Sequence, residues 1–172
     1  IVNFEPMMIS ARLTTADFLG THDPSTVAFV PNTSHGMNLL ADILRQKHPD
    51  GGEILTAQEE FPSSTLPWLH HGFRLKMVPI SELQQHITPD LKGISISHVQ
   101  FANGYRAPLS EIGSLARRAE VPLFVNVTQS LGVFPVGFRE WSATAVVGSV
   151  HKWLCAGMGL ALMAQSKRNG AR

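Results

Sequence analysis

A lysine flanked by apolar residues is the first feature with reactive potential. Gly148-Ser149-Val150-His151-Lys152-Trp153 follows the apolar run Ala145-Val146-Val147 and continues into Leu154. Lysines avoid such neighbourhoods. Partial burial would lower the pKa of Lys152 and leave a neutral amine able to attack a carbonyl, which is what a Schiff-base lysine requires. Ser149 and His151, on either side, could donate hydrogen bonds to an anion. On these residues alone, a surface lysine snorkelling over a tryptophan is the alternative.

Two other segments have the same character, polar residues directly after an apolar run. In Pro31-Asn32-Thr33-Ser34-His35-Gly36, small hydroxyl residues open a helical pattern. Their side-chain oxygens, the free N–H groups and the helix dipole together make a phosphate site. The same residues are also favoured as ordinary N-caps. In Val125-Asn126-Val127-Thr128-Gln129-Ser130-Leu131-Gly132, Asn126 and Gln129 could reach the edge of a planar heterocycle. A polar loop capping a sheet is the alternative there.

The elements that must position these segments are legible from periodicity. Apolar residues at helical spacing predict helices over Ser10–Leu19, after Asn32 (Met37, Leu40, Ala41, Leu44), over Ser64–His71, and from Pro108 (Leu109, Ile112, Leu115, Ala116, Ala119). Short apolar or alternating runs predict strands at Val27–Val30, Glu53–Ala57, Phe73–Val78, Ile94–Val99, Leu123–Val125, Ala145–Val147 and Leu160–Met163. Pro49-Asp50-Gly51-Gly52 is a turn. Strands alternating with amphipathic helices imply an α/β fold, a mostly parallel sheet with helices on both faces. Such sheets bind ligands beyond the carboxyl ends of their strands. All three polar segments fall there.

Composition sets the outer bounds. The 172 residues are 44% hydrophobic and 16% charged, with a formal net charge of +1. That length predicts one domain with a real core. The charge balance gives no footprint for nucleic acid, and no basic run is longer than a pair such as Lys167-Arg168. One cysteine excludes an internal disulfide and a multi-cysteine zinc site. No stretch has the roughly 18–20 apolar residues of a membrane span, and no signal peptide is expected. A cytoplasmic location is therefore the expectation. The chain opens on Ile1-Val2-Asn3-Phe4 and closes on the polar Ser166–Arg172 stretch, so a fragment or one lobe of a larger protein is expected.

Taken together in this order and spacing, the segments resemble class V aminotransferase-like enzymes. These are pyridoxal-phosphate proteins of fold type I that include cysteine desulfurases and isopenicillin N epimerase-like proteins. The resemblance runs from about Asp23 to Met163. Ser149-Val150-His151-Lys152 is similar to the family's Ser-x-His-Lys signature, and Asn126-Val127-Thr128-Gln129-Ser130-Leu131-Gly132 to its Asp-x-x-Gln-x-x-Gly. The resemblance implies the large domain of this fold, truncated. Residues 1–172 would be a single partial cofactor-binding domain, with the C-terminal small domain absent.

Carried over by position, Lys152 would be the catalytic lysine that forms the Schiff base with pyridoxal 5'-phosphate. Thr33, Ser34 and the backbone at His35 would hold the phosphate, joined by Ser149 and His151. Gln129 would face the cofactor's phenolic oxygen. Phe61, in Glu59-Glu60-Phe61-Pro62, would stack on the ring, worth about 0.5–1.5 kcal/mol beyond its buried area; plain core packing is its alternative. Ser97–Arg106 resembles the strand and loop on the substrate side, with Asn103 a candidate there. The implied substrate is an amino acid or related amine, and the implied assembly is a homodimer. No metal is expected.

Two departures from the family matter. Asn126 stands where the family has an Asp opposite the pyridine nitrogen. A carboxylate there keeps the nitrogen protonated and the ring electron-withdrawing, whereas a neutral amide cannot hold that proton by charge. A catalytically impaired relative that binds the cofactor is therefore the competing expectation. The second departure is length, since family members run to about twice this size. Cys155 lies too near Lys152 for the desulfurases' sulfur-accepting role and is expected as a small buried packing residue. Gly157-Met158-Gly159 lacks a third glycine for dinucleotide binding. The adjacent pair His70-His71 cannot face one metal from a helix and is expected in solvent.

Overall fold

The computed structural model describes residues 4–167. Among them seven strands form one sheet in the order β1-β7-β6-β5-β4-β2-β3. The strands are β1 (Val27–Val30), β2 (Glu53–Ala57), β3 (Arg74–Val78), β4 (Gly93–Ser97), β5 (Leu123–Asn126), β6 (Ala145–Ser149) and β7 (Ala161–Gln165). Pairing is parallel from β3 through β2, β4 and β5 to β6; only β7 runs against its neighbours β6 and β1. Two reversals leave β1 pointing the same way as β6. The carboxyl ends of β1, β2, β4, β5 and β6 therefore share one edge of the sheet.

Period-2 alternation explains why both faces are covered. Leu55, Ile94, Ile96, Val125 and Val146 enter one apolar cluster with Leu109 and Ile112 of α4 (Leu109–Arg118). Ile54, Phe124, Ala145 and Val147 enter another with Met37, Leu40 and Leu44 of α2 (Thr33–Lys47) and Trp68 of α3 (Pro62–His70). The central strands β4, β5 and β6 are buried along their whole length, as expected of parallel strands sandwiched between helices. The mostly parallel α/β sheet expected from the sequence is the one found.

Local chemistry sets the ends of α2. The Asn32 side chain caps its start by accepting the His35 N–H at 2.8 Å, and Arg45 and Lys47 complement the dipole in its last turn. The chain then reverses through Gly51 and Gly52, both at positive φ (77° and 136°). α1 (Glu5–Phe18) starts five residues before the expected Ser10. Of the apolar residues at helical spacing along it, Ala16 and the adjoining Leu19 are buried, while Ile9 and Leu13 are about half exposed (53% and 49%). Only the C-terminal end of α1 docks, so the stripe overstates its contact. His70 is in solvent as expected. His71 is not: its side chain is 20% exposed and lies 3.9 Å from Asp42 on α2. Among the described residues no helix is long and apolar enough to cross a membrane. Lys167 pairs with Asp23 at 2.8 Å, and Arg168 lies outside the described residues.

Candidate active site

One cavity of about 230 Å³ opens at the shared edge. Its walls come from segments far apart in sequence: Asn32, Thr33 and Ser34 after β1; Phe61 and Ser63 after β2; Ser97 and Phe101 after β4. Asn126 ends β5, with Thr128 and Gln129 beyond it, and Ser149 ends β6, with His151 and Lys152 beyond it. Seven of the eight predicted cofactor-contacting residues line it, together with Lys152. His35 is the exception. It is exposed, and its N–H is already bonded to the Asn32 side chain, so the cap uses up the donor that the phosphate was expected to take.

The α2 end of the cavity is a net of hydroxyls. Thr33 Oγ1 bonds Ser149 Oγ at 2.7 Å and Thr128 Oγ1 at 2.8 Å. The Thr33 N–H donates to Ser149 Oγ, and the Ser149 N–H donates to Thr128 Oγ1, both at 3.2 Å. Thr33 and Ser149 are each 5% exposed. With the N–H groups of Thr33 and His35 committed, the Ser34 N–H is the first-turn amide left for an anion. The exposed Ser34 hydroxyl stands beside it. Helix N-termini favour anions through just such free amides.

Asn126 ends β5 and is 5% exposed. Its Oδ1 accepts the Thr128 N–H and its Nδ2 donates to Ser64 Oγ, each at 2.9 Å. Phe61 precedes α3, is 46% exposed, and meets Phe101 edge-on with centroids 5.1 Å apart. It is a wall of the cavity, not a core residue. Glu60 holds that wall in place. Its buried carboxylate accepts the Ser97 N–H at 2.5 Å, the Ser97 hydroxyl at 2.6 Å and Gln100 Nε2 at 2.6 Å.

Lys152 is an exposed residue of the loop after β6 and is one of the residues that line the cavity. Burial there draws its pKa below the usual 10.5 by penalising the ammonium form. A lysine so placed is a better nucleophile toward a carbonyl. Cys155 is exposed, not buried as expected, and holds a positive φ of 50°. The turn after Lys152 runs along the surface, so a small residue there has nothing to pack into. Asn103 lies outside the cavity, its Oδ1 taken by the Tyr105 N–H at 2.9 Å.

Sequence reasoning missed Glu60, Ser64, Ser97 and Thr128 as site residues. Thr128 and Ser97 lay inside quoted motifs. Nothing local marks Glu60, because its partners lie 37 and 40 residues away.

The family model for aminotransferase class V matches residues 2–170. The chain is 30% identical over 155 residues to a probable cysteine desulfurase of Mycolicibacterium paratuberculosis, covering 83% of this chain and 23% of that protein. It is 27% identical to an isopenicillin N epimerase of Amycolatopsis lactamdurans, covering 92% of this chain and 44% of that one. In structure it is similar to an apo cysteine desulfurase from Thermococcus onnurineus. There the TM-score is 0.85 at 24% identity, over 97% of this chain and 45% of that one. The chain thus spans less than half the length of these relatives.

Proposed function

The chain belongs to the aminotransferase class V family, and on that premise we propose that it is the cofactor-binding part of an enzyme acting on an amino acid or related amine. Class V aminotransferases and cysteine desulfurases are pyridoxal-phosphate enzymes. The residues present fit that group. The cavity offers one amine of lowered pKa, a helix start lined with hydroxyls, three side-chain amides and two exposed phenylalanines. When bound, pyridoxal phosphate supplies an aldehyde for an amine and a ring that withdraws electrons from the carbon bearing that amine.

The chain's own residues divide the work. The Ser34 N–H and hydroxyl, with His151, would hold the phosphate, while Thr33 and Ser149 tie the helix start to β6. Phe61 would cover one ring face, and Gln129 would donate toward the phenolic oxygen. Lys152 would be the amine that meets the cofactor's aldehyde. The free Lys152 amine would also be the base that takes and returns the substrate's Cα proton. The observation that carries this reading is the convergence of these groups, from five strand ends, on one cavity. Purified protein given the cofactor should develop a visible absorbance band that Lys152→Ala abolishes. An unchanged spectrum in that variant would remove the assignment.

One observation favours a second reading, cofactor binding without turnover: the amide of Asn126 in place of a carboxylate. The segment acts as the large domain of a longer homodimeric enzyme. Trp153, Met158 and Leu160 are exposed just past the lysine loop, at 58%, 87% and 37%. Apolar side chains so exposed beside a site suit a partner surface.

A further inference from the structure

The buried amide at the cavity wall has a fixed polarity. A backbone N–H can only donate, so the Thr128 N–H, 2.9 Å from the Asn126 side chain, requires the amide oxygen at that end. The nitrogen is thereby turned toward Ser64, whose Oγ accepts one of its two hydrogens at 2.9 Å. What remains on that nitrogen is a single N–H, on a side chain that is 5% exposed and lines the cavity. Among the described residues, no carboxylate joins Asn126 in the cavity wall.

We infer that Asn126 donates this hydrogen to the lone pair of a heteroaromatic nitrogen and so keeps that nitrogen unprotonated. The inference rests on the reading that pyridoxal phosphate is the ligand. In that molecule the ring nitrogen lies across the ring from the aldehyde that Lys152 engages. A protonated nitrogen would set two donors against each other, and the cavity wall carries no negative charge to hold the extra proton. The consequence is a choice of reaction class. A neutral ring is a weak acceptor for the electron pair left on the substrate carbon after proton loss. Amino-group transfer, which must hold that pair on the ring, is the class least favoured here, and reversible amine capture the most.

The test is ¹⁵N NMR of the complete protein loaded with pyridoxal phosphate labelled at the ring nitrogen. The wild type should give the downfield resonance of an unprotonated pyridine, and Asn126→Asp should move it upfield to the pyridinium position. Ser64→Ala should leave it downfield, because the Thr128 N–H alone sets the amide's orientation. A pyridinium resonance in the wild type would overturn the inference while leaving the cofactor reading intact. Failure of the wild type to retain labelled cofactor would overturn both.

Discussion

Gly36 is where the anion-binding end of α2 meets the sheet, and adding one methyl there tests how tightly the site is built. A Cβ on Gly36 would lie 2.7 Å from Val147 Cγ1, 3.3 Å from Val147 Cγ2 and 3.4 Å from Val30 Cγ2. Its φ lies outside the left-handed region, so an alanine is not strained by the backbone itself. Two effects therefore compete. Glycine to alanine in a helix gains about 1 kcal/mol of propensity. Forcing a methyl against the fully buried Val147 costs about 1–3 kcal/mol, and one contact under 3 Å with one methyl puts it near the middle, at about 2 kcal/mol. Gly36→Ala should then be net destabilising by about 1 kcal/mol. Val147→Ala removes both close methyls. In that background Gly36→Ala should become stabilising by about 1 kcal/mol, a coupling of about 2 kcal/mol. Urea unfolding of the four proteins in the cycle measures this. Additive effects within about 0.5 kcal/mol would refute the claimed contact. The single variant should also weaken cofactor retention, because the Ser34 amide moves with the first turn of α2.

Two further predictions concern buried polar groups. Glu60→Ala strands the Ser97 N–H, the Ser97 hydroxyl and Gln100 Nε2, and should cost roughly 3–5 kcal/mol in urea unfolding. Glu60→Gln keeps an acceptor for two of those donors and should lose less than half as much; equal losses would mean that charge, not bonding, is what matters. His98, 6% exposed and packed 4.6 Å from Trp141, has its pKa lowered from 6.5 to about 4 by burial and then by the nearby Arg106. The unfolded chain therefore binds the proton first as pH falls. Stability from this group is complete above pH 6.5 and is lost progressively down to about pH 4, on the order of 3 kcal/mol in all. The loss in urea stability between pH 7 and pH 4.5 should shrink in His98→Phe, and an unchanged loss would show that other groups drive it.

The fold was legible because its strands announce themselves twice, as short apolar runs and as the points where polar residues begin. Val27–Val30 and Glu53–Ala57 were bounded to the residue. The lysine loop was legible because its residue types break the pattern around them. The antiparallel insertion of β7 between β1 and β6 was not, since strand order and direction leave no mark on periodicity. Exposure was misjudged at Cys155 and His71 for the same physical reason. Burial depends on what the turn faces, and neither turn geometry nor the neighbouring helix can be read from a residue's own type. Glu60 was invisible because a glutamate beside a turn reads as solvent-exposed until Ser97 of β4 and Gln100 just beyond it supply three donors.

The hydroxyl net changes what the phosphate-site residues can be doing. From sequence, Thr33 and Ser34 were equivalent candidates, two small hydroxyl residues in the first turn of a helix. In the structure the Thr33 hydroxyl already meets two others, at 2.7 and 2.8 Å, and is nearly inaccessible. A side chain so committed can add little direct attraction to an arriving anion, because it would have to give up an existing bond to do so. Its contribution is geometric. It bonds α2 to the ends of β5 and β6, and so fixes the distance between the Ser34 amide and the Lys152 loop. The Ser34 hydroxyl has no partner among the described residues and can turn to a ligand without loss. Recognition at this end therefore falls to Ser34, and the rigidity that makes it selective falls to Thr33, Thr128 and Ser149.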